Sequence, residues 1–233
     1  MDEVYDALNA FLVDESVVGM GSGSTIEGYI PYMKEHVDRY SLDVSFIPTS
    51  KKTEDQLKRH GLAVVHHAER MPVTIDGANQ FNEALMVIKG GGGSLLREKQ
   101  VGYFSDQIVI IAHQDKKVED FTGIAIPVEI NTYLYEMTVG IIEKDFGART
   151  EMRTGADGLF ITDNGNYIVD CHFIDPKDMD RLHNNLVAIP GVVETGIFNR
   201  KVSHIFSFDD QGAYQEYEKD RKGGYHGTSD CAR

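Results

Sequence analysis

Residues 16–25 read SVVGMGSGST, a short apolar run followed by a loop of glycine and hydroxyl residues. The apolar run predicts a strand over Ser16–Gly19, and the apolar spacing after the loop predicts a helix over Ser24–Arg39. Free N–H groups and the helix dipole favour an anion at such a junction, so the loop is a candidate phosphate site. A tight turn capped by serine or threonine would use the same residues, and the loop alone does not choose between these alternatives.

Short β-branched runs alternate with helical stretches through the first half of the chain. A helix is predicted over Thr53–His60, and further strands are predicted over Asp43–Ile47, Ala63–His66, Val73–Ile75 and Gln107–Ala112. This alternation is typical of βαβ units. The chain is therefore predicted to have an α/β fold with a parallel sheet.

The pattern changes near Pro127. The residues that follow predict an α+β unit of roughly 70 residues, with these elements: a helix over Thr132–Phe146, strands around Arg149–Arg153 and Tyr167–His172, a helix near Pro176–Ala188 and a strand near Val192–Phe198. The β-rich run Val202–Phe208 is expected to return to the first sheet. We therefore predict a smaller α+β domain over 127–198, inserted into a domain formed by 1–126 with 199–233.

Composition argues against several classes of partner. The chain has 23 Lys+Arg against 37 Asp+Glu, a net charge of −14, which disfavours nucleic acids and anionic membranes. A membrane-spanning helix needs about 18 consecutive apolar residues, and no run in this chain approaches that length. The acidic N-terminus is unlike a signal peptide. Cys171 and Cys231 are too far apart for a metal or redox pair and are predicted to be free thiols. We expect a cytoplasmic protein without nucleic-acid or membrane partners.

Asp76 is the first candidate for a functional carboxylate. It directly follows the predicted strand Val73–Ile75, at the end of the strand where open parallel sheets bind ligands. An Asx turn leading into Gly77 would explain the same residue without a functional role.

A second cluster surrounds four consecutive glycines, Gly90–Gly93. Ordering such a run is entropically expensive, so these glycines indicate a close approach of the backbone to another group. Lys89 precedes them, and Ser94 is positioned to cap a helix in which Glu98 lies about one turn from the start. Cation, amides and carboxylate form a plausible reaction site, although Glu98 on its own could be a solvated helix residue.

Six motifs in this order resemble type A ribose-5-phosphate isomerases, over about residues 20 to 198: Gly21–Thr25, Asp76–Ala78, Lys89–Lys99, Pro127–Glu129, Thr162–Asn166 and Ile189–Phe198. The resemblance implies a Rossmann-like, mostly parallel sheet with flanking helices, plus the smaller inserted domain. It implies a homodimer or homotetramer with a sugar phosphate as its small-molecule substrate. The implied reaction, in the non-oxidative pentose phosphate pathway, interconverts D-ribose 5-phosphate and D-ribulose 5-phosphate without a metal or cofactor.

The chemistry of that reaction fits these residues. Moving a carbonyl from C1 to C2 needs one base, and an enediolate needs positive charge and N–H donors. The resemblance implies that Glu98 is the base, that Lys89 with the glycine amides holds the enediolate, and that Asp76 assists ring opening. It implies a set of substrate-binding residues: Ser22, Gly23, Ser24, Thr25, Gly77, Ala78, Asn79, Gly90, Gly91, Gly92 and Lys116.

The sequence departs from the family pattern in two segments. One is His113-Gln114-Asp115-Lys116, which keeps only the lysine of the family's usual Asp-x-Ser-Lys. In the other, Asn79 and Gln80 follow Asp76-Gly77-Ala78, where the family usually has Asp-Glu. Because an amide cannot act as a base, the chain could be a catalytically weak sugar-phosphate-binding paralogue of the same fold. A second open alternative is an isomerase for another sugar phosphate, such as a six-carbon substrate.

Overall fold

A computed structural model describes residues 2–219 and 225–227 of the chain. Cys171 is a buried free thiol, and Cys231 lies outside the described residues. The helices are α1 (Asp2–Asn9), α2 (Ser24–Tyr40), α3 (Lys51–Arg59), α4 (Leu95–Phe104), α5 (Tyr135–Phe146) and α6 (Met179–Val187). The strands are β1 (Ser16–Met20), β2 (Val44–Pro48), β3 (Ala63–Val64), β4 (Met71–Asp76), β5 (Gln80–Phe81), β6 (Val87–Ile88), β7 (Ser105–His113), β8 (Ala125–Ile130), β9 (Arg149–Met152), β10 (Thr154–Gly155), β11 (Gly158–Leu159), β12 (Tyr167–His172), β13 (Val192–Thr195), β14 (Ile197–Phe198), β15 (Val202–Phe208), β16 (Tyr214–Lys219) and β17 (Tyr225–Gly227).

The largest sheet has eight strands in the order β17-β16-β15-β7-β4-β1-β2-β3. Neighbours from β15 to β3 are parallel, and β16 and β17 extend one edge in antiparallel pairing. Counted along the chain, its parallel strands follow the order 3-2-1-4-5-6 of doubly wound dinucleotide-binding folds. This order confirms the predicted α/β fold with a Rossmann-like, mostly parallel sheet. It also puts the reversal of strand order between β1 and β4, where such sheets bind ligands.

The core on one side of this sheet is formed by helices that bury their apolar faces. Val4 and Leu8 of α1 and Tyr29 and Met33 of α2 are fully buried and pack in one cluster with Phe46 of β2. Their spacings of four residues place each pair on one helix face. The helices thereby fix the end of β1 from which the glycine loop begins.

A second sheet has four antiparallel strands in the order β13-β8-β12-β9. All of its strands fall between residues 125 and 195. Its buried face carries Ile126, Val128 and Val169, which cluster with Ile142 of α5 and Leu186 of α6. We propose that this unit is the smaller domain predicted over 127–198.

The strand predicted over Val192–Phe198 is wrong as a single element. It divides into β13 and β14, which belong to different sheets. At the break, the N–H of Gly196 donates to the carbonyl of Pro127 (2.7 Å), and the carbonyl of Gly196 accepts from the N–H of Lys89 (2.9 Å). A Cβ at Gly196 would lie 2.3 Å from the Lys89 carbonyl oxygen, so only glycine fits. The break therefore fixes the backbone of Lys89.

Other boundaries also differ from the sequence predictions. Helix α3 begins two residues before the predicted Thr53, because the hydroxyl of Ser50 accepts from the Thr53 N–H and caps the helix. Helix α5 begins at Tyr135 rather than Thr132, after Leu134 in the left-handed conformation. The sequence predictions did not include α1 or the strands β5, β6, β8, β10, β11, β16 and β17.

In the part of the chain that the structure describes, no helix combines the length and apolar character needed to cross a bilayer. The cytoplasmic location stays a prediction.

Candidate active site

The loop after β1 is anchored on the end of β4. The N–H of Gly21 donates to the Ile75 carbonyl (2.8 Å). One carboxylate oxygen of Asp76, Oδ1, accepts from the N–H groups of Ser22 (3.1 Å) and Gly77 (2.7 Å). A Cβ at Gly21 would lie only 1.9 Å from that oxygen, so the loop can approach Asp76 only with glycine there.

Gly23 is the N-cap of α2 and has no side chain to cap it. The capping interpretation of this loop is therefore wrong for the N-cap residue itself. The hydroxyl of Ser22 lies 2.7 Å from the hydroxyl of Thr49, which is two residues before the start of α3. This leaves the first turn of α2, with its dipole and main-chain N–H groups, as the anion-attracting element.

A buried ion triad forms the centre of the site. The Lys89 ammonium lies 3.0 Å from Asp76 Oδ2 and 3.5 Å from Glu98 Oε1. It also donates to the carbonyl of Gly77 (2.6 Å). All three charged side chains are at most 4% exposed. Two carboxylates therefore share one ammonium in a region shielded from water.

This arrangement shifts the pKa values of Glu98 and Lys89. Burial, opposed by the Lys89 ammonium and supported by the Asp76 carboxylate, raises the pKa of Glu98 to about 7. Burial lowers the pKa of Lys89, but the Asp76 and Glu98 carboxylates outweigh it and raise that pKa above its ordinary value. Glu98 Oε2 has no hydrogen-bond partner among the described residues. Glu98 is thus a buried carboxylate that can exchange a proton near neutral pH.

A cavity of about 250 Å³ opens onto this triad. Lys116, in a 3₁₀ turn over Gln114–Lys116, borders it and forms no ion pair with another described residue. The cavity is lined by Ser22, Gly23, Ser24, Thr25, Gly77, Ala78, Asn79, Gln80, Lys89, Gly91, Gly92, Glu98 and Lys116.

The structure brings together most of the predicted site residues, with two exceptions. Asp76 and Gly90 do not line the cavity. Both oxygens of Asp76 have protein partners, and the Gly90 carbonyl accepts from Arg153. Gln80, which the sequence predictions left out of the site, does line it.

Volume alone does not identify this site. A cavity of about 390 Å³ lies further along α4, and there the Lys99 ammonium is paired with Glu194 at 2.8 Å. There the buried cation already has its counterion, whereas the smaller cavity has an excess carboxylate and an unpaired lysine. The convergence of reactive groups favours the smaller cavity.

One group within residues 2–219 and 225–227 has metal-ligand spacing: His204, Glu216 and Glu218, on β15 and β16. None of them lines the cavity at Glu98. The absence of a metal and of a cofactor from the reaction stays a prediction.

Comparison with known proteins decides the family. The sequence model of the family described as ribose 5-phosphate isomerase A (phosphoriboisomerase A) matches residues 45–212. The chain belongs to this family. It is therefore an aldose–ketose isomerase, as the motifs predicted.

Individual members of this family are similar to the chain over most of its length. Ribose-5-phosphate isomerase A of Thermoplasma volcanium is 38% identical over 211 residues, which cover 88% of this chain and 87% of the relative. The structure of ribose 5-phosphate isomerase from Plasmodium falciparum superimposes with a TM-score of 0.87 at 30% identity, covering 94% of this chain and 100% of that one. A D-ribose-5-phosphate isomerase in complex with phospho-erythronic acid gives a TM-score of 0.88 at 27% identity, covering 93% and 96%.

Proposed function

We propose that this isomerase interconverts D-ribose 5-phosphate and D-ribulose 5-phosphate through an enediolate, with Glu98 as the general base. This is the interconversion of the non-oxidative pentose phosphate pathway. One observation carries the proposal: Glu98 borders the cavity as a buried carboxylate 3.5 Å from a buried ammonium.

In the proposed reaction, Glu98 takes the C2 proton of the open-chain aldose. The electron pair moves into the C1–C2 bond, and the C1 carbonyl oxygen becomes negatively charged. Glu98 then returns the proton to C1, while the C2 hydroxyl gives up its proton to the C1 oxygen and becomes the carbonyl. A pKa near the working pH suits a base that must also return the proton.

The negative oxygen of the intermediate needs a fixed positive partner. Lys89 supplies it, because Asp76 and the Gly77 carbonyl hold the ammonium in place before substrate arrives. Gly91 and Gly92 border the same cavity, and the Gly92 N–H has no hydrogen-bond partner among the described residues. Pre-arranged donors of this kind stabilise a developing charge more than mobile water does.

The phosphate group is proposed to bind at the first turn of α2, against Gly23, Ser24 and Thr25. Lys116 would provide a second positive charge across the cavity. A chain of net charge −14 can still bind an anion there, because charges beyond a Debye length of about 8 Å are largely screened.

Phospho-erythronic acid, the ligand of one structural relative, supports the proposed positions of the enediolate and the phosphate. Its carboxylate shares one negative charge over two oxygens at the end where an enediolate would carry its charge. A site that accepts it must offer a cation or N–H donors at one end and a phosphate site at the other, as this cavity does.

Asp76 is proposed as a positioning residue that holds Lys89 and the loop after β1. The ring-opening role implied for it stays a prediction. Asn79 accepts from the Gly91 N–H through Oδ1 (3.0 Å), which leaves its Nδ2 group as a donor for a sugar hydroxyl.

The direct test is Glu98→Gln, assayed for conversion of ribose 5-phosphate to the ketose. We expect kcat to fall by about 10² to 10⁴, because the amide cannot take the proton. Glu129→Gln is the matched control, since Glu129 is equally buried but lies in the smaller sheet. Near-normal turnover of a folded Glu98→Gln protein would contradict the proposal.

Two narrower alternatives are separable by the same assay. A sugar-phosphate-binding paralogue would bind ribose 5-phosphate without producing ribulose 5-phosphate. An isomerase for another sugar phosphate would show a higher kcat/KM for a hexose phosphate than for the pentose.

We also propose that the chain forms a homodimer or homotetramer. Leu134, Met137 and Ile141 occupy one face at the start of α5 and are 53%, 65% and 40% exposed. A contiguous exposed apolar face is typical of an interface. A monomer by light scattering at assay concentration would contradict this proposal.

A further inference from the structure

The glycine loop of the site is held from outside by Arg153, which directly follows β9 of the smaller sheet. One guanidinium nitrogen, Nη1, donates to the carbonyls of Gly90 (2.6 Å) and Gly91 (3.2 Å). The other two nitrogens, Nε and Nη2, donate to the two carboxylate oxygens of Asp170 (2.9 and 2.5 Å). Arg153 does not line the cavity, so its contact with the site is through the loop backbone.

The bound carbonyls determine where the loop's amides point. In a planar trans peptide, C=O and N–H point in opposite directions. The Gly90 carbonyl shares its peptide with the Gly91 N–H, and the Gly91 carbonyl shares its peptide with the Gly92 N–H. The Gly90 carbonyl also accepts from the Gly93 N–H (3.0 Å), which closes a turn, whereas the Gly91 carbonyl has only Arg153 as a partner among the described residues. Holding both carbonyls turns both N–H groups to the opposite side of the loop, and Arg153 alone holds the peptide that carries the Gly92 N–H.

That opposite side is the cavity. The Gly91 N–H donates to Asn79 Oδ1, and Asn79 lines the cavity. Gly92 also lines it, and its N–H has no hydrogen-bond partner among the residues that the structure describes. The observed direction of the Gly91 N–H agrees with the peptide geometry, and the Gly92 N–H is left for a ligand.

A cation on the carbonyl end has a second effect. A hydrogen bond to a charged donor polarises the peptide and strengthens the opposite N–H as a donor. Asp170 fixes the guanidinium in a bidentate pair, so the two loop carbonyls meet a donor of defined orientation. The pair is only 17% and 22% exposed, which limits screening by water.

We propose that Arg153 is a positioning residue of the isomerase: by holding the Gly91 carbonyl, it directs the Gly92 N–H at the oxygen that becomes negative in the reaction. This proposal rests on the proposed function, in which that amide helps to hold the enediolate. Arg153 should therefore matter for an anionic reaction centre and little for the phosphate end of the ligand.

The test compares two ligands that do not react. Phospho-erythronic acid carries a carboxylate at the reaction centre, and erythritol 4-phosphate carries a neutral alcohol there. In Arg153→Met we expect affinity for the acid to fall about tenfold and affinity for the alcohol to fall less than about twofold, by calorimetry. In turnover, kcat should fall about 10- to 100-fold while KM stays within about threefold.

Two further variants keep the test interpretable. Arg153→Met with Asp170→Asn removes both charges, so it leaves no unpaired partly buried carboxylate and should show the same preference between the ligands. Arg70→Met is the control, since Arg70 also pairs with an aspartate, through two nitrogens on Oδ2 of Asp106 (2.9 and 2.7 Å), at the N-terminal ends of β4 and β7 and thus away from the site. It should change neither affinity.

Equal losses of affinity for the two ligands in both Arg153 variants, or no loss at all, would overturn the proposal. Because the binding measurements involve no turnover, they do not depend on Glu98 acting as the base. A result that contradicts the role of Arg153 can therefore be distinguished from one that contradicts the proposed function.

Discussion

Glu98 and Glu129 are two buried glutamates with opposite surroundings. Glu98 is 4% exposed and Glu129 is 0% exposed, and in each the Oε2 atom has no hydrogen-bond partner among the described residues. Glu129 Oε1 accepts from three neutral donors, the side chains of Thr162 (2.9 Å), Asn164 (3.4 Å) and Asn166 (2.9 Å). Glu98 instead faces a buried ammonium and a cavity.

The difference shows that burial does not by itself make a carboxylate reactive. The bonds to Glu129 close the turn over residues 162–166, and Asp163 in that turn accepts from Arg97 and from the N–H of Lys51. Glu129 therefore stabilises a contact between the smaller sheet and α4. Glu98, one residue after Arg97, has access to a ligand and a charged neighbour that can compensate a developing charge.

Replacing Lys89 by methionine would remove the feature that most distinguishes Glu98 from Glu129. We expect kcat to fall by about 10² to 10³, because the enediolate loses its fixed cation. The measurement is steady-state kinetics with ribose 5-phosphate.

Lys99→Met is the control for that variant. Lys99 is also largely buried and paired with a glutamate, but it borders the larger cavity of about 390 Å³. Its kcat should stay within about threefold of the unchanged protein. Equal losses in the two variants would show that Lys89 acts only through stability.

The pH dependence of turnover should report the raised pKa of Glu98. With the pKa of Glu98 raised to about 7, kcat/KM should fall about tenfold per pH unit below pH 7, because the base becomes protonated. The substrate phosphate also titrates, near pH 6. Its contribution to the kcat/KM profile is corrected by using a separate titration of the substrate alone. An acidic limb near pH 4.5 would contradict the assignment.

Stability should show the same shift with a defined sign. A carboxyl whose pKa is raised in the folded state binds more protons folded than unfolded between pH 4.5 and 7. The free energy of unfolding of the unchanged protein, relative to Glu98→Gln, should therefore decrease as pH rises through that window. Denaturant unfolding at several pH values measures it.

The smallest effect on turnover is expected for Glu129→Gln. Glutamine keeps one acceptor oxygen but loses the charge, so the free energy of unfolding should fall by about 1 to 3 kcal/mol. The kcat should stay within about threefold. A 100-fold loss of kcat without a loss of stability would place Glu129 in the chemistry and end the contrast with Glu98.

The parallel sheet was predictable because its signals are local. Each strand is a β-branched run next to a turn, so β1, β2 and β7 lie within one or two residues of their predicted bounds. Helix α1 also had a local signal, the buried Val4, Tyr5 and Leu8 on one face, which the sequence predictions did not use.

Other features that were missed depend on contacts between distant residues. Strands β5, β6 and β14 have two residues each and form one small sheet, too short to show periodicity. The break between β13 and β14 arises because Gly196 bonds to Lys89 and Pro127. No local pattern reports that contact.

Sequence patterns were limited in the same way at the site, because they do not show contacts between distant residues. The loops of the site were predicted from motifs, but the direction of a carbonyl or carboxylate within a loop was not. Asp76 and Gly90 therefore took ligand-facing roles in prediction, whereas both face protein groups. The contact of Arg153 with Gly90 joins positions 63 residues apart, and only the folded structure shows it.

The most direct test of Glu98 follows the proton itself. Ribose 5-phosphate carrying deuterium at C2 is incubated with the unchanged protein and with Glu98→Gln, and the loss of the label from C2 is followed by NMR. We predict label loss at about the rate of isomerisation in the unchanged protein, and at least about 100-fold slower loss in Glu98→Gln at saturating substrate. Label loss at the unchanged rate in folded Glu98→Gln would show that another group takes the proton.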